Sequence, residues 1–198
     1  MADLGMTREE ALALLWDHVR TDYTRRHSLA TEAVMRALAR RLGHDEDLWG
    51  LTGLIHDLDY EDVGGDPRRH GLQAAEVLAA RGCPPEMTEA IVAHNGDVLG
   101  VPCRTPLDFA LSAGESITGM VFAMALVLPS KSLKDVQARS VRKRLKEPRF
   151  AANVSRERIA QHQGLALTEE EFVGIAVEAM KAIADVLEAP DLPGPASR

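Results

Sequence analysis

Residues 53–62 have the sequence GLIHDLDYED, which puts the adjacent pair His56 and Asp57 at the end of a predicted helix. The apolar residues around the pair keep the helical spacing i, i+3, i+4 and i+7: Leu48, Leu51, Leu54, Ile55 and Leu58. Further carboxylates follow before the Gly-Gly turn at 64–65. Because the C-terminal end of a helix carries partial negative charge, carboxylates crowded there have the wrong polarity. The stretch therefore predicts a compensating positive charge, and a bound cation would supply it.

The rest of the chain has the same helical character. It has 198 residues, with 45% hydrophobic and only 4% aromatic residues, and it shows no alternating strand pattern. Capping signals start helices at Thr7, Asp66-Pro67 and Thr105-Pro106. We expect an all-α fold of about eight or nine helices, forming one domain over residues 1–188 with a frayed tail at 189–198.

The net charge, the amino-terminal sequence and the longest apolar run limit the kinds of partner that we expect. The formal net charge of −7 argues against general nucleic-acid binding but allows an anionic small substrate. The amino terminus lacks a signal-peptide pattern, and the apolar run 117–129 is too short to cross a bilayer. We expect two free thiols, no membrane partner and a cytoplasmic location. The run 117–129 fits either the core or a dimer face, so a homo-oligomer stays open.

Several predicted helices each direct an ionisable side chain along an apolar face. Alone, each has an ordinary explanation, such as a core histidine bonded to a carbonyl. Together they would cost several kcal/mol apiece as isolated buried charges, and one or two divalent cations would reconcile them. The candidate ligands are His27, His56, Asp57, His70, His94 and Glu115.

This pattern resembles the HD-domain superfamily of metal-dependent phosphohydrolases. The family's H…HD…D pattern, with two more histidines in its two-metal branch, is matched from about residue 23 to 127. The matching segments are RRHSLATEAV, GLIHDLDYED, RRHGLQAAEVL, AIVAHNG and SAGESITGMV; the stretch from Pro129 to Ile159 also resembles small HDIG-type proteins. Two features depart from the pattern. Glu115 stands where an aspartate is usual, and Asp59-Tyr60 replaces the family's lysine position.

The resemblance implies a pair of divalent metals, of the class Fe, Mn, Mg, Zn or Ni, bridged by Asp57 and held by the other five candidate ligands. A metal-bound hydroxide would attack phosphorus, with Asp59 or Glu61 orienting it or acting as the general base. The alternative for both acids is a solvated helix end. In the basic segment 131–149, Lys131 is the predicted substrate-binding cation, together with Arg26 and Arg69 beside two of the histidines.

Three functions remain open from the sequence. The leading hypothesis is a phosphohydrolase acting on a small phosphorylated compound, a phosphomonoester or phosphodiester, with nucleotides among the candidates. The first alternative is an HD-type di-iron oxygenase, because the same four histidines and two carboxylates serve both chemistries. The second is a non-catalytic ligand-binding domain, which Glu115 and the absent lysine favour.

Overall fold

The computed structural model describes residues 4–192 and 194–195, and it builds them mainly from α-helices. The eleven helices of this part of the chain are α1 (Arg8–His18), α2 (Asp22–Leu42), α3 (Glu46–Ile55), α4 (Leu72–Ala80), α5 (Pro85–His94), α6 (Gly96–Leu99), α7 (Pro106–Val127), α8 (Ala138–Leu145), α9 (Arg156–Ala160), α10 (Glu169–Ala182) and α11 (Ala184–Leu187). Short 3₁₀ turns cover Leu133–Asp135 and Gln161–Leu165. No strand occurs in the described residues, and the predicted all-α class is confirmed.

Two predicted helix starts are confirmed by their capping contacts. At α7, the Thr105 hydroxyl accepts from the backbone N–H of Asp108 at 3.2 Å, and the Asp108 carboxylate accepts in return from the Thr105 N–H at 3.0 Å. Pro106 occupies the first helical position, where its missing N–H costs nothing. The same reciprocal box joins Thr7 and Glu10 at α1. These contacts satisfy backbone donors that a helix start otherwise leaves unpaired.

The segment between α3 and α4 differs from the prediction. The sequence predicts helices over 45–58 and 66–81, whereas α3 ends at Ile55 and α4 begins at Leu72, with turns between them. Gly71 has φ 87°, a left-handed conformation that stops a helix. A Cβ there would also lie 3.0 Å from a carbonyl oxygen of α5. The segment is therefore irregular, and it presents side chains that a continuous helix would point elsewhere.

Helix α7 forms the centre of the core and packs against α2, α5, α9 and α10. Leu111, Ile117 and Val121 are fully buried on it. At 22 residues, α7 is long and apolar enough to span a membrane. The apolar run 117–129, on which the sequence-based expectation rests, is too short to do so. However, 67% of its most apolar window is buried inside the protein, which is the arrangement of a core helix.

A glycine allows α2 and α7 to pack closely. A Cβ on Gly114 would lie 3.3 Å from Sδ of Met35 and 3.4 Å from Cγ1 of Val34, both on α2. The shorter distance is tighter than most real Cβ contacts, so a larger residue would require the Met35 side chain to shift. The close packing brings His27 on α2 within reach of Glu115 on α7.

The C-terminal part contains two smaller differences from the prediction. The helix predicted over 168–187 is divided at Ile183 into α10 and α11, and α6 is an additional short helix. Part of the predicted frayed tail is held in place, because Ala189 O accepts from Arg26 at 2.7 Å and Leu192 packs on the core. Residues 193 and 196–198 of that tail lie outside the described residues. Cys83 and Cys103 are free thiols, as predicted.

Candidate metal centre

Five separate segments contribute the side chains that the sequence predicts as ligands. Helix α2 provides one histidine, and the turn after α3 provides the His-Asp pair. The second residue before α4 and the last residue of α5 provide one histidine each, and α7 provides the glutamate. In chain order they are His27, His56, Asp57, His70, His94 and Glu115. The structure brings the four histidines together around the carboxylate of Asp57.

The Asp57 carboxylate is the point on which the four imidazoles converge. Its Oδ1 lies 3.3 Å from Nε2 of His56, 3.3 Å from Nε2 of His70 and 3.7 Å from Nε2 of His94. Its Oδ2 lies 3.5 Å from Nε2 of His27. Two groups of three have ligand atoms within 4.8 Å of one another: His27, His56 and Asp57, and Asp57, His70 and His94. Asp57 belongs to both groups.

Two of the histidines are oriented by the backbone of their own helices. The Nδ1 of His56 donates to the carbonyl of Gly53 at 2.9 Å, and the Nδ1 of His94 donates to the carbonyl of Ile91. A carbonyl only accepts, so in the neutral ring each Nδ1 carries the proton. Each Nε2 therefore turns an unprotonated lone pair towards Asp57.

The other two histidines are fixed by side chains. The Nδ1 of His70 donates to Oδ1 of Asp59 at 2.8 Å. The Nδ1 of His27 lies 3.0 Å from Oγ1 of Thr118, whose own proton goes to the backbone carbonyl of Glu115 at 2.7 Å. The threonine oxygen is thus an acceptor for His27. Metal-binding histidines characteristically have their second nitrogen bonded in this way.

The resulting arrangement suits cations. The Nε2 atoms of His27 and His56 lie 3.1 Å apart, and those of His70 and His94 lie 3.0 Å apart. Facing lone pairs at such distances repel unless a cation or a proton lies between them. Neutral imidazoles and a carboxylate are ligands for Fe, Mn, Zn and Ni. The donor chemistry of the site therefore fits divalent metal.

Burial and charge set the protonation of the centre. Burial is the largest effect on Asp57 and would raise its pKa, but the facing histidines, led by His56, hold it well below its usual value. Burial lowers the pKa of His56 to about 3. For His70, burial is outweighed by the carboxylates of Asp57 and Asp59, and the pKa rises to about 9. The metal-free site thus holds opposite charges on Asp57 and His70 at neutral pH.

Glu115 lies at the edge of the centre. Its Oε2 is 3.9 Å from Nε2 of His27, and its Oε1 is 3.6 Å from Nη1 of Arg158. Its carboxylate also accepts from the Ser116 hydroxyl. Among the described residues, Glu115 belongs to neither of the two close groups of potential ligands. A glutamate has one methylene more than the aspartate that is usual at this position, and its carboxylate lies at the periphery of the centre.

The contacts of Asp59, which the sequence predicts as a catalytic acid, favour a positioning role. One of its oxygens accepts from His70, and the other accepts from the backbone N–H groups of Gly71 at 2.8 Å and Ala74 at 2.9 Å. Asp59 is 2% exposed. With both oxygens engaged, it orients His70 and caps the start of α4, which favours a positioning role over proton transfer.

Replacing Asp59 with asparagine should weaken metal binding by roughly 10- to 100-fold, the usual cost of removing the carboxylate behind a metal-binding histidine. The amide would present its nitrogen either to the His70 N–H or to the start of α4. Competition against a chromophoric chelator measures the metal affinity. Asp66→Asn is the control, because this exposed carboxylate of the same segment caps only the N–H of Arg68. Equal affinities in Asp59→Asn and the control would contradict the positioning role.

Glu61, the second predicted catalytic acid, is also held by hydrogen bonds to another segment of the fold. Its carboxylate accepts from the backbone N–H of Arg20 at 2.8 Å, the N–H of Thr21 at 3.0 Å and the Thr21 hydroxyl at 2.7 Å. Burial would raise its pKa, but these hydrogen bonds outweigh burial and lower it. Glu61 therefore fastens the turn after α3 to the start of α2.

Glu61→Gln should lower the free energy of unfolding by about 1 kcal/mol at pH 7, a value discounted for solvent exposure. A depressed folded-state pKa stabilises the fold above the unfolded-state pKa, and this stabilisation disappears as pH falls through the folded-state value. The difference from the parent should therefore shrink below the ordinary glutamate pKa of 4.5. Urea unfolding at pH 7 and pH 4 measures it, with exposed Glu76→Gln as the control. A pH-independent difference would count against this explanation.

The three predicted substrate-binding cations are separated. Arg26 and Lys131 line a cavity that also contacts His27, but the Arg26 guanidinium donates to backbone carbonyls at the end of the chain. Arg69 is exposed and donates to Gln73 Oε1 at 3.2 Å. It lines neither cavity next to the centre. Of the three, Lys131 lies beside the centre and its ammonium has no hydrogen-bond or ion-pair partner among the described residues.

Arg158 is a cation at the site that sequence reasoning missed. It lines a cavity of about 420 Å³ over the centre, which we call the polar cavity; the other lining residues include Tyr23, His27, Asp57, Tyr60 and Glu115. Its Nη2 lies 3.3 Å from Oδ1 of Asn95 and also contacts Asp97. The sequence offers little signal for it, since it lies on the five-residue helix α9, beyond the basic segment 131–149.

Comparison with known proteins agrees with this geometry. Residues 24–119 match the family model of the HD domain. A protein of Bradyrhizobium diazoefficiens named deoxyguanosinetriphosphate triphosphohydrolase-like is 37% identical over 103 residues, which are 40% of this chain and 25% of that protein. Proteins of the same name from another Bradyrhizobium and from Rhodopseudomonas palustris are 33% and 34% identical, over 55% and 43% of this chain. The chain spans about a quarter to a third of these relatives' lengths. No solved structure gave a significant match.

Proposed function

Residues 24–119 belong to the HD-domain family, and from this premise we propose that the protein is a metal-dependent phosphohydrolase that acts on a small phosphorylated compound. The observation that carries the proposal is the convergence of four Nε2 atoms on the single carboxylate of Asp57. Every Nδ1 behind them has an acceptor, so each ring presents its Nε2 lone pair once it is neutral; His70, protonated in the metal-free site, would release its proton on binding metal.

The two ligand groups support a proposal of two cations. His27, His56 and Asp57 would hold one, and Asp57, His70 and His94 would hold the other. When bound, such cations polarise a phosphoryl oxygen and make bound water acidic enough to act as a nucleophile near neutral pH. The protein's own contribution is to fix the ligands: Asp59 and Thr118 hold two of the rings in position.

The polar cavity offers a place for the phosphate. Arg158 and Asp57 both line this cavity, and guanidinium groups bind phosphate oxygens in pairs. Asp97, Glu115 and Asn95 hold this guanidinium in place. A cavity of about 420 Å³ is at the lower end of small-molecule sites, which favours a small substrate. Nucleotides fit this class, as the relatives' name suggests.

Elemental analysis and a phosphoester screen test the proposal. Protein stripped of metal is loaded anaerobically with Fe(II), Mn, Mg, Zn or Ni, and release of inorganic phosphate is followed with phosphomonoesters, phosphodiesters and nucleoside triphosphates. We expect about two ions per chain and hydrolysis that does not depend on oxygen. A reaction that requires oxygen would favour the di-iron oxygenase. Protein that binds no metal at micromolar concentration would favour the non-catalytic ligand-binding domain.

A further inference from the structure

A second cavity, of about 410 Å³, adjoins the polar cavity. Tyr23, His27 and Gly119 line both, so the two spaces meet beside the candidate metal centre. The second cavity lies between the start of α2, the end of α7 and α11. We call it the apolar cavity, because most of its remaining lining is apolar: Phe122, Ala123, Ala125, Leu126, Leu133 and Leu187.

The polar side chains inside the apolar cavity are already engaged. The Arg26 guanidinium donates to two backbone carbonyls around the end of α11. The Glu188 carboxylate accepts from a serine hydroxyl and from a backbone N–H at the 3₁₀ turn. Tyr23, which is 80% exposed, and Lys131, which is also exposed, stand at the rim. The walls therefore offer apolar area and few free hydrogen-bonding groups that could distinguish one polar ring edge from another.

We propose that the apolar cavity holds the organic part of the substrate, and that the preferred substrates are phosphate esters of an apolar or aryl group. This inference rests on the proposed function, since it takes the phosphate to lie in the adjoining polar cavity. Contact area and shape select the ligand here, because burial of apolar surface is favourable without directional partners. Lys131, at the rim of the apolar cavity, adds positive charge that favours an anionic ligand.

Binding of two phosphonates tests the inference without requiring hydrolysis. Benzylphosphonate and methylphosphonate share a head group and differ in the aryl ring, and calorimetry on the metal-loaded protein gives the Kd of each. We expect benzylphosphonate to bind at least about 10-fold more tightly. Leu126→Asp, which puts a charge on the wall, and Ala123→Leu, which fills the space, should each reduce the ratio to within about 3-fold of one.

Val127→Asp is the matched control. Val127 is the next residue of α7 and is also exposed, at 54% against 68% for Leu126, but it does not line the cavity. Its ratio should equal that of the parent. A parent ratio near one, failure of benzylphosphonate to bind, or an unchanged ratio in both cavity variants would overturn the inference. If the ratios behave as expected but no phosphate ester is hydrolysed, the hydrolase proposal fails and the apolar cavity stands.

Discussion

Replacing Asp57 with alanine is expected to remove bound metal and activity together, with hydrolysis falling by about 1,000-fold or more. Asp57 is the member common to both ligand groups, so its loss affects both places for a cation. Metal ions supply several kcal/mol of transition-state stabilisation, and each loss of about 1.36 kcal/mol slows a reaction tenfold. The variant also leaves four imidazoles facing one another without a balancing carboxylate.

Metal content by elemental analysis and phosphate release, measured on the same preparation, check this result. His44→Ala is the control: this exposed histidine stacks on Trp49, with ring centroids 4.7 Å apart, outside the centre. It should keep both metal and turnover. His56→Ala should behave like Asp57→Ala, because His56 is fully buried against the carboxylate. Full metal content and turnover in either centre variant would refute the assignment.

Replacing Arg158 with alanine is expected to reduce kcat/KM by about 100-fold while the metal content stays unchanged. Removing one preorganised charged donor from a transition-state site commonly costs this much. Among the described residues the guanidinium contacts Asn95, Asp97 and Glu115 and no histidine of the centre, so the two close ligand groups should stay in place. Loss of activity without loss of metal separates this variant from Asp57→Ala.

Arg158→Lys should recover part of the loss, because it keeps the charge but loses the paired donors that match a phosphate. Arg81→Ala, at an exposed position after α4, is the control for loss of a surface arginine. Thermal unfolding of all variants separates a loss of folding from a loss of binding. An Arg158→Ala variant with normal kcat/KM, or with depleted metal, would contradict a role in phosphate binding.

The all-α class was predictable from the sequence because it depends on hydrophobic periodicity. The meeting of the histidines around Asp57 was predictable because buried ionisable side chains on several helices need a common partner. His27, His94 and Glu115 lie on apolar stripes of regular helices, where spacing defines a face. The surroundings of His70 were less predictable. It precedes Gly71, whose left-handed conformation replaces the expected helix start, and it is fixed from behind by Asp59.

Roles that depend on the path of the backbone were also beyond sequence patterns. Asp59 and Glu61 were predicted to act on water because they follow the His-Asp pair closely. The turn after α3 places Asp59 at the start of α4 and Glu61 at the start of α2. Backbone N–H groups donate to the carboxylate of each. Arg158 reaches the site only because α9 folds back over α7, and no periodicity encodes that approach.

The position of Arg158 and of most of the apolar cavity along the chain has an evolutionary consequence. All six predicted ligands fall within residues 24–119, the stretch shared with the HD-domain family, whereas Arg158 and the walls contributed by residues 122–188 lie beyond it. Mutations in the later segments can alter what enters the site without disturbing the ligand set. Under the proposed function, the groups that select the substrate would then change independently of the six predicted ligands, so chains that share residues 24–119 could act on different compounds.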